Sequence, residues 1–256
     1  MLIGLTLLNA RWLWCLVGCC LCTLVSARDI TVVAGWNKPP YIITEGAQGF
    51  EMELAATILT RMGHHMKPVF VPFGRSARQL ENGVGDMVLT VSDQHNVARH
   101  LLSDIYVEYQ NAAVTLASRN LAITTSADLR QYTVLAFQTA RDVLGPEFSQ
   151  AITGHQGYVE IAAQDRQVKM LLLGSVDVAV MDKNIFSWLR GQLSPRFQKD
   201  VTFHPLFEKS YYRAAIVDDE LRRDFNLQLA LIKQDGTYQA LLEKYRLAYP
   251  GVPAER

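Results

Sequence analysis

Polar side chains follow two short apolar segments of the chain, at the point where each segment ends. Ser92 and Asp93 come directly after Met87–Val91, and Asp182 comes directly after Val176–Met181. In open α/β sheets, ligands bind beyond the carboxyl ends of the strands. A carboxylate in a partly dry cleft forms strong, charge-assisted hydrogen bonds. The two segments therefore predict two α/β lobes that face one another across a cleft.

The residues before these two segments repeat one pattern. A helix end is followed by a glycine, Gly83 or Gly174, and three residues later by an aspartate, Asp86 or Asp177. Glycine adopts the left-handed backbone after a helix without a Cβ penalty. An apolar run bounded by turn signals is typical of a strand buried on both faces of a parallel sheet. The alternative is a chance repeat, which any α/β protein can show.

Strands and helices alternate along most of the chain, which favours an α/β fold with mostly parallel sheets flanked by helices. We predict strands at 29–35, 68–72, 87–91, 133–137, 158–161, 176–181 and 201–203, and helices at 50–62, 75–82, 140–152, 165–173 and 184–193.

Two longer β-prone runs, Tyr109–Ser118 and Tyr211–Val217, bracket the second α/β set and predict two strands that cross between the lobes. The expected first lobe is residues 28–116 plus 205–256, and the second is 117–204. Helices at 219–234, with Asp218 as N-cap, and at 237–245 are expected to return to the first lobe.

The N-terminus has the features of a secretory signal peptide. Arg11 precedes an apolar run over residues 12–25, and Val25-Ser26-Ala27 supplies the small residues of a cleavage site. We predict cleavage after Ala27 and a periplasmic location. The alternative is a lipoprotein, because Leu16-Val17-Gly18-Cys19 resembles a lipobox with Cys19 as the lipidated residue.

Composition restricts the classes of function that this chain is expected to have. All four cysteines lie within the first 27 residues, so the mature chain is predicted to have no disulfide. The 25 basic and 25 acidic residues balance, which gives no electrostatic case for nucleic acid. The six histidines show no metal spacing, and no phosphate loop is present. We predict no metal, no cofactor and no nucleic-acid partner.

An ordered series of motifs resembles a known family. Pro39-Pro40-Tyr41 is followed by residues 49–54, GFEMEL, then by both Gly-x-x-Asp strands, and finally by Asp235-Gly236-Thr237 before Lys244-Tyr245. The series is similar to the family 3 extracellular solute-binding proteins, which are periplasmic receptors of ABC importers. The resemblance implies a two-lobed type II periplasmic-binding-protein fold that closes around its ligand by a hinge.

The same resemblance implies a role in ligand binding for Asp182, whose carboxylate would hold an ammonium group. The alternative is an N-cap for the helix that begins near Asn184, and the two roles are compatible. The turn Gln138–Arg141, with Thr139 and Arg141, would bind a carboxylate at a helix start. The alternative for Thr139 is a plain N-cap.

A carboxylate-clamping arginine is expected after Val91-Ser92 in amino-acid receptors of this family. Strict spacing places Asn96 at that position and Arg99 three residues later. Either Arg99 serves as the clamp from a rearranged loop, or the chain lacks the clamp and Arg99 is solvent-exposed.

Three further residues are candidates for ligand contact. Trp36 and Tyr41 lie on the loop after the first strand, where the family presents an aromatic ring to the ligand. Core packing is the alternative for both. Arg75 begins a helix and is placed at the cleft mouth or in solvent.

The predicted function is therefore that of a monomeric, non-enzymatic receptor. It captures a small polar solute, an amino acid or a related organic acid or amine, and delivers it to an ABC importer membrane permease. The alternative is a periplasmic dehydratase acting on prephenate-like or arogenate-like acids, with Asp182, Glu108 or a histidine as general acid or base.

Overall fold

The structure, a computed structural model, describes residues 27–72 and 75–247. The predicted signal peptide, apart from Ala27, and Cys19 lie outside the described residues. The strands are β1 (Asp29–Gly35), β2 (His65–Val71), β3 (Met87–Val91), β4 (Val107–Leu116), β5 (Val134–Phe137), β6 (Tyr158–Ile161), β7 (Val178–Asp182), β8 (Val201–His204) and β9 (Lys209–Ile216). The α-helices are α1 (Phe50–Arg61), α2 (Ser76–Glu81), α3 (Ala140–Val143), α4 (Pro146–Ile152), α5 (Gln164–Leu173), α6 (Lys183–Gly191), α7 (Asp219–Gln234) and α8 (Thr237–Lys244).

The strands form two groups connected by β4 and β9. In the first group, β1 pairs in parallel with β2 and β3, and residues 213–216 of β9 run antiparallel to β3. In the second, β5 pairs in parallel with β6 and β7, and residues 111–116 of β4 pair with β7 and β8. Residues 107–110 of β4 pair with residues 209–212 of β9. The two crossing strands are therefore present, and we propose lobes of residues 28–116 plus 205–256 and 117–204.

The repeated Gly-x-x-Asp pattern has the same structural role in both groups. Oδ2 of Asp86 accepts a 2.8 Å hydrogen bond from the backbone N–H of Thr31 in β1. Oδ2 of Asp177 accepts a 2.8 Å hydrogen bond from the backbone N–H of Thr133, directly before β5. Each aspartate thus fixes the beginning of the neighbouring parallel strand, and Gly174 takes the left-handed backbone after α5.

Buried apolar faces place the helices on the sheets. Leu54 and Ile58 of α1 share one core cluster with Phe225 and Leu229 of α7 and with Leu242 of α8. The terminal helices pack on α1. Within the described residues, no helix is long and apolar enough to cross a membrane.

One predicted helix is interrupted in the structure, so its predicted extent is wrong. The helix expected over residues 140–152 is two short helices, α3 and α4, separated at Gly145-Pro146. Gly145 has a φ of 92°, and Pro146 is the first residue of α4. Proline lacks the N–H that a continuous helix needs and is tolerated at a helix start.

The predicted N-cap of α7 gives a stability test. Asp218 accepts hydrogen bonds from the backbone N–H groups of Glu220 and Leu221. We expect Asp218→Ala to lower the free energy of unfolding by about 1 kcal/mol, because two helix N–H groups lose their acceptor. Urea denaturation measures this. Asp219→Ala removes a neighbouring exposed carboxylate that does not cap the helix, and an equally large effect of this control would contradict the capping role.

Candidate functional site

A pocket lies between the two groups of strands, at the ends of β3, β5 and β7. Its described lining residues come from eight or more separate segments, which explains why no single motif encodes it. They are Gly35, Lys38, Ser76, Thr90, His95, Tyr109, Asn111, Phe137, Thr139, Val143, Gln164, Asp182, Ile185 and Tyr212. The position agrees with the rule that ligands bind beyond the carboxyl ends of parallel strands.

Asp182, the last residue of β7, lines the pocket with only 2% of its surface exposed. Oδ1 accepts the backbone N–H groups of Asn184 at 2.9 Å and Ile185 at 3.0 Å, so Asp182 is the N-cap of α6. Oδ1 also accepts the Tyr41 hydroxyl at 3.2 Å, and Oδ2 accepts the Gln110 N–H at 2.8 Å. Both predicted positions, N-cap and pocket wall, are thus combined in one side chain. Burial raises the Asp182 pKa to about 6, although these donors oppose the shift.

This raised pKa makes the stability of the folded chain depend on pH. Because the folded state favours protonated Asp182, the stabilisation is complete below about pH 4 and is lost as the pH rises through about 6. We expect wild-type stability relative to Asp182→Asn to fall by roughly 3 kcal/mol across that range, at about 1.4 kcal/mol per pKa unit. Urea denaturation at a series of pH values measures it.

The control for this titration is Asp218→Asn. The hydrogen bonds of the α7 N–H groups to Asp218 lower the pKa of that carboxyl, so its contribution is lost on acidification instead. A constant difference between wild type and Asp182→Asn from pH 4 to 7 would show that Asp182 does not titrate as described.

A buried polar network lies at and behind the pocket wall on the side of the first group of strands, and no sequence pattern indicated it. Glu51 of α1 is completely buried. Its carboxylate accepts hydrogen bonds from Thr90 Oγ1 at 2.6 Å and from the hydroxyls of Tyr106 and Tyr109, each at 2.5 Å. Lys38 Nζ lies 3.7 Å from Glu51 Oε1. Burial lowers the pKa of Lys38 and raises the pKa values of Tyr106 and Tyr109 well above the usual value.

Aromatic rings connect this network to Asp182. Tyr41 is fully buried and stacks on Tyr109, with ring centres 3.9 Å apart and planes at 19°. Tyr109 also packs against Tyr212. Tyr41 is thus part of the core, one of its two predicted alternatives, and its hydroxyl donates to Asp182. It is not among the described lining residues, and its contact with a ligand stays a prediction.

Two more polar side chains line the pocket. His95 Nδ1 lies 3.0 Å from both the backbone nitrogen and Oγ of Ser92, and burial lowers the His95 pKa. Ser92 thus holds a lining residue in place and is not itself among the lining residues. Oε1 of Gln164 is buried and has no hydrogen-bond partner in the described part of the chain. Gln164 is thus a lining residue whose amide oxygen is an unsatisfied acceptor.

The turn predicted to bind a ligand carboxylate already binds one from the chain. The backbone N–H of Thr139 donates to Glu160 Oε2 at 2.8 Å, and that of Arg141 donates to Glu160 Oε1 at 2.9 Å. The Tyr158 hydroxyl donates to the same Oε1 at 2.6 Å. The Arg141 guanidinium lies over the Tyr158 ring, 5.7 Å from its centre. Thr139 lines the pocket, but these amide groups are engaged by Glu160.

The remaining predicted site residues lie outside the described lining. Arg99 is exposed in a short 3-10 turn, and Asn96 is exposed with a left-handed backbone. Arg75 is exposed directly before α2, and Trp36 has 57% of its surface exposed. The structure does not bring these side chains together with Asp182, and their contacts with ligand stay predictions. Among the described residues, no cluster of three or more His, Cys, Asp or Glu could hold a metal ion.

The described residues adopt the two-lobed type II periplasmic-binding-protein fold, with a pocket at the strand ends. Residues 30–248 match the bacterial extracellular solute-binding proteins, family 3, and the chain belongs to that family. This confirms the family inferred from the motif series. A search among curated proteins gave no match.

Solved structures with the same fold are similar over most of their length. The P235GK mutant of ArgBP from T. maritima has a TM-score of 0.69 at 22% identity, covering 86% of this chain and 96% of that one. The GluR0 ligand-binding core in complex with L-glutamate has a TM-score of 0.70 at 12% identity, covering 86% of this chain and 99% of that one. The ancestral amino-acid-binding protein AncCDT-1, a precursor of cyclohexadienyl dehydratase, has a TM-score of 0.65 at 20% identity, covering 85% and 94%.

Proposed function

We propose that this protein is a periplasmic receptor that captures a small amino-acid-type solute in the pocket and delivers it to an ABC importer. The observation that carries the proposal is Asp182. It places a buried carboxylate on the pocket wall at a strand end, and burial raises its pKa to about 6. A ligand ammonium group next to this carboxylate would stabilise its ionised form.

The rest of the pocket supports a ligand that carries further polar groups. Gln164 Oε1 is an additional acceptor for an N–H group. The apolar part of the wall comes from Phe137, Val143 and the stacked Tyr109 ring. A mostly apolar pocket with a few placed polar groups is typical of small-molecule recognition.

A thermal-shift screen of amino acids, organic acids and polyamines tests the proposal. A ligand at about 100 times its dissociation constant stabilises the folded state by about 2.7 kcal/mol. We expect the largest rise in melting temperature with an amino acid. A rise only with organic acids lacking an amino group would contradict the proposal.

The alternative, a dehydratase, is supported by one observation. A carboxyl with a pKa of about 6 in a pocket is suited to general-acid catalysis near neutral pH. Glu108, the other acid considered, lies outside the described lining, where its Oε1 accepts a hydrogen bond from Lys209 at 2.8 Å. Conversion of prephenate or arogenate by the purified chain, lost in Asp182→Asn, would establish the enzyme instead of the receptor.

A further inference from the structure

One buried cation in the pocket makes no hydrogen bond. Lys38 lines the pocket and is only 4% exposed. Its Nζ lies 3.7 Å from Glu51 Oε1 and 5.2 Å from the centre of the Tyr109 ring, and both contacts exceed hydrogen-bond length. Within residues 27–72 and 75–247, Nζ donates no hydrogen bond, although the Asp182 carboxylate also attracts it electrostatically. Its three N–H groups are therefore available to an occupant of the pocket.

Glu51 balances the Lys38 charge without satisfying those N–H groups. The hydroxyls of Thr90 and Tyr106 donate to Oε2 and that of Tyr109 donates to Oε1, at 2.5–2.6 Å, whereas Lys38 Nζ stays 3.7 Å from Oε1. A buried charge is costly unless it is both paired and hydrogen-bonded. Lys38 is paired with the Glu51 charge, but its Nζ donates no hydrogen bond. This points to a missing acceptor.

The other groups considered as partners for a ligand anion lie outside the pocket lining or are already hydrogen-bonded within the chain. Arg99 and Arg75 are exposed and do not line the pocket. The amide groups of the turn at Thr139 donate to Glu160. Among the described lining residues, Lys38 is the only lysine or arginine. Burial lowers the pKa of both Lys38 and His95, but His95 starts from 6.5 and is therefore neutral at pH 7, whereas Lys38 starts from 10.5 and the Glu51 charge opposes its shift.

We propose that Lys38 binds the anionic group of the solute and takes the part that the family resemblance gives to an arginine. This rests on the proposed function and deepens it, because the solute is then a zwitterion with its carboxylate at Lys38 and its ammonium group at Asp182. The two ends are connected through one aromatic pair. Lys38 Nζ faces the Tyr109 ring, Tyr109 stacks on Tyr41, and Tyr41 donates to Asp182.

The test uses the proteinogenic L-amino acids, each beside its carboxamide, which keeps the ammonium group and loses the negative charge. Thermal shift followed by calorimetric titration compares wild type with Lys38→Gln. We expect the amino acid that binds wild type to lose at least tenfold in affinity as its carboxamide. Lys38→Gln should lose at least tenfold for the free acid and should no longer distinguish acid from carboxamide. Lys67→Gln, which removes an exposed lysine paired with Asp29, is the matched control.

The outcomes separate this inference from the proposed function. If wild type binds an amino acid and Lys38→Gln binds it with the same affinity, the inference is overturned and the proposed function stands. The same holds if Arg99→Gln loses tenfold in affinity for the amino acid and Lys38→Gln loses none. Binding of no amino acid by wild type overturns the proposed function and this inference with it. Lys38→Arg keeps the charge and should keep the preference for the free acid. If Lys38→Gln fails to fold, Lys38→Arg is compared with wild type instead. Equal affinity of Lys38→Arg for the free acid and its carboxamide would then overturn the inference.

Discussion

Asp182→Asn is expected to weaken binding of the captured amino acid at least tenfold. The substitution nearly preserves shape and removes the charge that would face the ligand ammonium group. Truncating one partner of a buried, hydrogen-bonded charge pair costs about 2–5 kcal/mol, and about 1.4 kcal/mol corresponds to tenfold in affinity. Calorimetric titration with the amino acid that gives the largest thermal shift measures the loss.

The matched control is Asp218→Asn. Asp182 and Asp218 cap their helices in the same way, each accepting the N–H groups two and three residues ahead. Asparagine caps about as well as aspartate, so a loss of binding seen only in Asp182→Asn cannot come from helix capping. An equal dissociation constant for wild type and Asp182→Asn would remove Asp182 from the ligand site.

Glu51→Gln is expected to lower the free energy of unfolding by about 3–5 kcal/mol. The change leaves Lys38 as a buried ammonium without a counter-charge, and an uncompensated buried charge has a cost of that size. It also replaces one carboxylate oxygen, which accepts tyrosine or threonine hydroxyls, with a donor. Urea denaturation measures the effect.

Glu53→Gln and a double mutant complete this experiment. Glu53 lies two residues along the same helix, pairs with Lys244 and accepts the Tyr245 hydroxyl. Because it is only partly buried and its neutralisation leaves no buried charge unpaired, Glu53→Gln should cost much less than Glu51→Gln. The double mutant Lys38→Met with Glu51→Gln should be more stable than Glu51→Gln alone, because it removes the unpaired charge. If the second substitution adds further destabilisation, the ion-pair interpretation is contradicted.

The strand ends and the glycines could be predicted from the sequence because their signals are local. The Gly-x-x-Asp pattern located β3 and β7, and it is now explained by the backbone N–H groups of Thr31 and Thr133 that the aspartates bind. The break between α3 and α4 was missed although Gly145-Pro146 is also a local signal.

The polar wall of the pocket could not be predicted because it depends on packing between distant segments. Glu51 is on α1, Tyr106 and Tyr109 are near the start of β4, and Lys38 follows β1. Only an acid placed within the apolar face of a predicted helix could have indicated that Glu51 is buried with partners. Glu160 reaches the Thr139 turn because β5 and β6 pair in a register that sets Ala136 opposite Glu160. Such a register is not encoded in either segment alone.

Native mass spectrometry under competition tests most directly whether the pocket recognises both ends of an amino acid. The mature chain is mixed with equal concentrations of the amino acid that gives the largest thermal shift, its decarboxylated amine and its deaminated acid. Asp182 and Lys38 together predict a 1:1 complex with the mass of the amino acid and little of either analogue. Equal occupancy by the amine or the acid, or no complex at all, would contradict a receptor for amino-acid-type solutes.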